Sequence, residues 1–459
     1  MPRSYLGPVP NREKASKRLL WTARMIVEAA GQARFPFAAE AAVRMAQERR
    51  LRATVAYAHA HVPYYRETMR RLILGPEDLG SAGELARLPL LERDHLQRDP
   101  EYFVSREWPA DVCVIMQSGG TTGAPLTIFR DPPSLFLEAA HRERMRSLIA
   151  RLAGRRGRYR EAHIRPDDSS VATAIGALRR RTLLPTGVRV HRRAFSMFRS
   201  PAELITELDE FRPDVITSYG SYLEALFGYL REHAPRVALP RVAVHGADAL
   251  SPETREWAKT ELGIEVLSSY NAIETPQIGF DCEYHRGHHL NVDLCPVRLV
   301  RPDGSDAPGE ATGEIVVSNL VNRATVLLNY RLGDVVTRVE DPCPCGRTLP
   351  LYSYLERRGT RWLDLGGGRR MHSQALKLVL RARRGIWRYQ IVQETLDRFL
   401  LRLVPSPEFD REVTKSQVLE QFRHQLGNEI AVRVEFVTDL PRGPSGKVQP
   451  IVGLLPSSD

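Results

Sequence analysis

Gln117 to Pro125 reads Gln-Ser-Gly-Gly-Thr-Thr-Gly-Ala-Pro, a run whose residue types suit a polyphosphate. Gly119, Gly120 and Gly123 let the backbone come close and turn its amides inward, and the hydroxyls of Ser118, Thr121 and Thr122 add donors. It is not a Walker loop, because no Gly-Lys-Ser/Thr occurs and the run holds no lysine. A second group is Cys343-Pro344-Cys345-Gly346 with Cys282-Glu283-Tyr284-His285-Arg286-Gly287-His288-His289 upstream. Thiolate and imidazole are the ligands that tetrahedral zinc favours, and three histidines compete for the role. A third is Gly443-Pro444-Ser445-Gly446-Lys447, a turn-forming loop that carries one lysine.

These residues need elements to position them. Val112 to Met116 is a short apolar run that predicts a buried strand leading into the glycine loop. The chain before it reads as helix, Ala39 to Ala56 at helical spacing, with a break at Pro63. From Pro213 onward strand and helix alternate: strands at Pro213–Ser218, Arg241–Val244 and Glu265–Ser269, a helix at Tyr222–His233, and another opened by Ser251 as cap and Pro252 as first residue. That rhythm predicts an α/β fold with parallel strands. After residue 290 strands and turns dominate, and Gly366-Gly367-Gly368 reads as a joint. We therefore expect a large N-terminal domain, residues 1–362, built of parallel-sheet α/β subdomains and a β-rich subdomain. A small mobile α+β domain, residues 363–459, follows.

Composition narrows the function classes. The 459 residues hold 66 basic and 55 acidic side chains, a net charge of +11. The charge is scattered, densest at Arg151–Arg160 and Arg179–Arg193, with no tract and no interleaved aromatics, so nucleic acid is not the expected partner. Five cysteines in this length do not make a secreted disulfide framework. The polar start, Met1 to Lys17, lacks a signal-peptide core, and no apolar stretch reaches the ~18–20 residues a membrane span needs. The expectation is a cytoplasmic protein without a membrane span.

Placed in order, the motifs resemble those of the phenylacetate–coenzyme A ligase-like branch of the adenylate-forming superfamily. Its other branches include acyl-CoA synthetases, luciferases and peptide-synthetase adenylation domains. The likeness covers nearly the whole chain. Tyr57-Ala58 with Val62-Pro63-Tyr64-Tyr65-Arg66 resembles the N-terminal signature, and Ser118–Pro125 the phosphate motif, with Ala124 where many members carry lysine. Tyr270-Asn271-Ala272-Ile273-Glu274 resembles the aromatic–Gly–x–Thr–Glu motif, with Asn271 in place of glycine. The resemblance implies that Tyr270 packs on adenine and that Glu274 holds Mg²⁺, a cation that takes oxygen ligands. Gly246 and Ala247 resemble the adenine loop, Asp334 the ribose acceptor, Arg358 the arginine that meets ribose or phosphate, and Lys447 the catalytic lysine. For zinc the matching positions are Cys282, His289, Cys343 and Cys345, with His285 and His288 as competitors.

The function so implied is ATP-dependent activation of a small-molecule carboxylic acid to its acyl-adenylate, followed by transfer to coenzyme A. An amine or a carrier-protein thiol is an alternative acceptor, and a degenerate nucleotide-binding regulator without turnover is the non-enzymatic alternative. The resemblance is compatible with a homodimer. Tyr219 and Ala272 are candidates to line the acid pocket.

Overall fold

In the computed structural model, described residues are all but 1–14, 118–125, 156–157, 166–169, 184–189, 198, 200, 248, 276, 302, 308–310, 357–361, 366–369, 373–385, 406–408, 428, 442–447, 449–450 and 454–459. The N-terminal part is helical: α1 (Ala15–Ala29), α2 (Glu40–His61), α3 (Pro63–Leu72) and the short α4 (Arg93–Arg98). Val62, ahead of Pro63, is extended at φ −109° and ψ 121°, as a residue preceding proline prefers, and this splits α2 from α3. A two-stranded ladder, β1 (Val114–Gln117) with β2 (Thr127–Arg130), follows, so the glycine run joins two antiparallel strands.

The centre is a mixed sheet of eleven strands. One half is parallel: β3 (Tyr159–Arg165), β4 (Val190–Ser196), β5 (Val215–Tyr219), β6 (Val242–Gly246) and β7 (Glu265–Tyr270), in the spatial order β4-β3-β5-β6-β7. The other half is antiparallel: β8 (Gly279–Asp281), β9 (His288–Leu290), β10 (Val297–Val300), β11 (Thr312–Val317), β12 (Tyr330–Val339) and β13 (Leu351–Glu356). β7 belongs to both halves, parallel to β6 and antiparallel to β8.

Helices α5 (Pro132–His141), α6 (Glu143–Leu152) and α7 (Ser170–Arg181) precede or interrupt the parallel strands, and α8 (Pro201–Phe211), α9 (Gly220–His233) and α10 (Pro252–Leu262) connect them. Strand alternation sorts the two faces of β3. Ala162 and Ile164 belong to one core with Leu204, Leu208 and Leu226 of α8 and α9. Tyr159 belongs to the larger core on the other face with Leu148, Ile149 and Ala177 of α6 and α7, so Glu161, His163 and Arg165 share that face. α10 starts as the sequence predicts: the Ser251 hydroxyl accepts from the Thr254 amide at 3.2 Å, with Pro252 in first position.

Beyond the small β14 (Trp362–Asp364) and β15 (Arg370–His372) pair lies a third core, with Leu363, Phe399, Leu401, Val418 and Phe422. It is built on the sheet β16 (Ile386–Thr395), β17 (Arg398–Pro405), β18 (Ala431–Phe436) and β19 (Ile451–Gly453) with α11 (Arg411–Leu426).

Candidate functional site

Strand direction gathers the residues that the motifs single out. β7 delivers Tyr270 at its carboxyl end, and the antiparallel β12 begins there with Tyr330. The Tyr270 hydroxyl donates to Asp334 Oδ2 at 2.7 Å, and the Tyr330 hydroxyl to Glu274 Oε1 at 3.2 Å. All four side chains are buried, Glu274 to 1% exposure. Two carboxylates held at fixed points by phenols, one on β12 and one in the loop after β7, are suited to hydroxyl donors and a divalent cation.

The loop carrying Glu274 is held from several sides. Asn319 Nδ2 donates to the Glu274 carbonyl at 2.9 Å, and Arg130 Nη2 donates to the Ile273 carbonyl at 2.6 Å. Arg130 also pairs with Glu138. Burial lowers the Arg130 pKa to about 10, while Asp131 and Glu274 pull it the other way. Asn271, which stands where the resembled motif has glycine, is not among the positive-φ residues; Gln277 is, at φ 58°. The Asn271 side chain instead accepts from the Gln277 amide at 2.9 Å and closes the loop on itself.

Behind the loop, Asn291 Nδ2 donates to the Gln277 carbonyl at 2.9 Å, and Asn291 Oδ1 accepts from Arg144 Nη1 at 2.9 Å. Arg144 is itself buried against Asp293 in a two-pronged pair, 2.7 and 2.9 Å. Gln32 and Arg50 complete that knot, at 2.8 Å to Arg144 Nε and in contact with Asp293 respectively. None of Arg130, Gln277, Arg144 or Asp293 stood out in the sequence. Their partners come from distant segments, and no local pattern marks such pairs.

At the proposed adenine loop, a Cβ on Gly246 would meet Ser269 Oγ at 2.9 Å, so glycine permits the close approach of β6 to β7. Ala247 takes the left-handed conformation at φ 66°, a strain of about 1–2 kcal/mol for a residue with a Cβ. Tyr219 packs on the core of α8 and α9, and Ala272 on the larger core. The phosphate run Ser118, Gly119, Gly120, Thr121, Thr122 and Gly123, with Arg358 and Lys447, lies outside the described residues.

The cysteine–histidine cluster is formed by Cys282, His289, Cys343 and Cys345, whose ligand atoms all lie within 4.8 Å of one another. Cys282 Sγ is 3.6 Å from Cys343 Sγ, and Cys345 Sγ is 3.3 Å from His289 Nε2. Bonds of 2.0–2.3 Å at tetrahedral angles put zinc ligands roughly 3.5–3.8 Å apart, which matches. Burial pushes the Cys282 and Cys343 thiols up and the His289 imidazole down to about 4. The competing histidines are engaged elsewhere. His285 bridges Asp281 at 2.7 Å and Glu265 at 2.6 Å; burial alone would lower it, but the two carboxylates raise it to about 9. His288 Nε2 lies 3.0 Å from Ser268 Oγ.

Residues 367–453 match the family model described as CapK C-terminal domain. Phenylacetate-coenzyme A ligase from Thermus thermophilus is 24% identical over 90% of this chain and 96% of its own. Its counterpart from Pseudomonas putida is 25% identical over 64% of this chain and 66% of its own. The crystal structure of a 2-hydroxyisobutyryl-CoA ligase, in the postadenylation state with R3-HIB-AMP, superposes with a TM-score of 0.66 at 18% identity. That match covers 90% of both chains. In sequence, then, the chain is similar to phenylacetate-coenzyme A ligases, and in fold to a 2-hydroxyisobutyryl-CoA ligase.

Proposed function

We propose that the protein activates a carboxylic acid with ATP as the acyl-adenylate, releasing pyrophosphate, and then passes the acyl group to coenzyme A with release of AMP. The observation that carries this reading is the pairing of Tyr270 with Asp334 and of Tyr330 with Glu274 at the ends of β7 and β12. Asp334 is a carboxylate anchored to accept from ribose hydroxyls, and Tyr270 offers a ring for adenine. Glu274 fits Mg²⁺ as a lone protein carboxylate beside phosphates, where the ion would neutralise phosphate charge. Gly119, Gly120 and Gly123 with Ser118, Thr121 and Thr122 would cradle the triphosphate, and Arg358 and Lys447 would bring positive charge to the ribose and α-phosphate. The acid carboxylate attacks the α-phosphorus in line and pyrophosphate leaves.

The similarity to enzymes named for coenzyme A favours that acceptor over an amine or a carrier protein. Pyrophosphate exchange across aromatic, fatty and amino acids, then AMP release with each acceptor added separately, tests the reading. Exchange with no acid would sink it and leave the nucleotide-binding regulator.

The Cys282, His289, Cys343 and Cys345 donors fit a closed zinc site with a structural role. It would pin the β8–β9 turn to the β12–β13 turn. Metal analysis of the purified protein checks it.

A further inference from the structure

Helix α1 has two unlike faces. Its inner side packs on α5 and on the end of α7. The Trp21 ring stacks on Phe136 with centroids 4.7 Å apart, and Thr22 is buried. Arg18 donates to the Thr182 carbonyl at 2.6 and 3.2 Å, and the Leu183 amide donates to Thr22 Oγ1 at 2.9 Å. At about 100° per residue, Ile26, Leu19, Ala23, Val27 and Leu20 fall in one arc of roughly 120° on the opposite side. All five are exposed, the four large ones to between 56% and 71%. Single apolar side chains are ordinary on a protein surface, but four along one arc of one helix form a strip.

Both edges of the strip are basic. On the Leu20 side Arg24 and Lys17 come next around the helix, within roughly 60°, and both are exposed. On the Ile26 side the strip borders Thr22, where α7 docks. The last turn of α7 carries Arg179, Arg180 and Arg181, the first of them exposed, and Leu183 just beyond is exposed as well. Together the two helices hold six basic side chains and one acidic, Glu28.

An apolar strip between two basic edges suits a helix lying in the headgroup layer of an anionic bilayer, its apolar side chains toward the acyl chains and its cations against phosphates. The length fits lying rather than crossing: 15 residues rise roughly 22 Å, against the ~30 Å of a hydrocarbon core. Among the described residues no helix is long and apolar enough to cross a membrane. A second copy of this chain is the poorer occupant, because a two-fold contact would set Lys17, Arg24 and Arg179 against the same cations of the other copy.

We propose that the outer face of α1 is a docking surface for an anionic lipid bilayer, with Leu19, Leu20, Ile26 and Val27 entering the interface and Lys17, Arg24 and Arg179 meeting lipid phosphates. The protein is thereby held at a membrane without spanning it. This surface is independent of the adenylation reading.

The test is sedimentation of the full-length protein with vesicles of phosphatidylcholine alone, or of phosphatidylcholine and phosphatidylglycerol in equal parts. In about 0.1 M salt, partition into the anionic vesicles should exceed that into the neutral ones by about 10-fold or more. Most of that excess should vanish in about 1 M salt, where the screening length falls to about 3 Å. Leu20→Glu with Val27→Glu should abolish binding. Leu396→Glu with Val413→Glu makes the same charge change at exposed apolar residues elsewhere and should leave most of it. Lys17→Gln with Arg24→Gln keeps the apolar strip intact and should weaken binding roughly 5-fold per cation. All three variants should keep the wild-type melting temperature; were the Leu20→Glu, Val27→Glu pair to fold poorly, the Lys17→Gln, Arg24→Gln pair still reads the same face. Wild-type protein that stays in the supernatant overturns the proposal, as does equal partition into both kinds of vesicle or equal loss in the two glutamate pairs. Self-association in sedimentation velocity that Leu20→Glu with Val27→Glu abolishes, without lipid binding, assigns the face to a second copy and overturns it too.

Discussion

Glu274 is the side chain on which the proposed chemistry places the largest demand, since its carboxylate is buried beside Arg130 and receives the Tyr330 hydroxyl. Glu274→Gln keeps the shape and removes the charge. It should lower pyrophosphate exchange about 100-fold or more, as loss of a preorganised electrostatic partner does, with little change in melting temperature. Asn271 acts on the same loop through geometry. Asn271→Ala removes the acceptor of the Gln277 amide and should cost about 1 kcal/mol in chemical denaturation, with a rise in the KM for ATP as the loop loosens. Asn271 was legible as a departure from a motif; its compensating bond was not, because the strained backbone sits six residues on at Gln277.

Asp293 belongs to the same scale but to stability. Burial alone would raise its pKa, but the Arg144 and Arg50 guanidiniums hold it below the ordinary carboxylate range. A carboxyl with a depressed folded pKa contributes stability that is complete above its unfolded value of about 3.9 and lost as pH falls through the folded value. Asp293→Asn, which leaves buried Arg144 without its counter-charge, should cost about 3–5 kcal/mol at pH 7. The gap between variant and wild type should close below about pH 4 in urea titrations at stepped pH.

Among the elements, the β8–β9 hairpin has two ends with different tasks. Its open end, at Gly279 and Leu290, leads into the Gln277 and Asn291 bonds behind the Glu274 loop. Its turn end holds Cys282, near the start of β7, and faces Cys343 and Cys345 from the β12–β13 turn. Removal of a structural metal with a strong chelator, or Cys345→Ser, should therefore lower the melting temperature by roughly 5 °C or more. An unchanged melt after chelation would count against the metal. The parallel strands and their helices were legible because apolar runs, a Ser-Pro helix start and turn residues mark each boundary locally. The pairing of β13 with β9 was not, since their registered residues His289 and Leu351 stand far apart in the chain.

For the molecule as a whole, the third core around Phe399 and Phe422 belongs to the same C-terminal part of the chain as Lys447. Lys447→Ala should abolish exchange while ATP still binds, measured side by side by exchange and calorimetry. Fold class and the sequence of motifs could be read in advance; the bonds from Arg130 and Asn319 that hold the Glu274 loop could not, because their donors come from distant segments.

The buried knot of Gln32, Arg50, Arg144, Asn291 and Asp293 also has a bearing on biosynthesis. Its bonds close loops of 112 to 243 residues, and those that Arg50 and Arg144 make to Asp293 cannot form until Asp293 has emerged from the ribosome. Helix α2, which carries Arg50, must then wait without that lock for about half of translation, a period in which chaperone binding guards against aggregation. Nascent chains truncated before Asn291 should be cut by protease within α2, whereas chains extended well past residue 300 should resist.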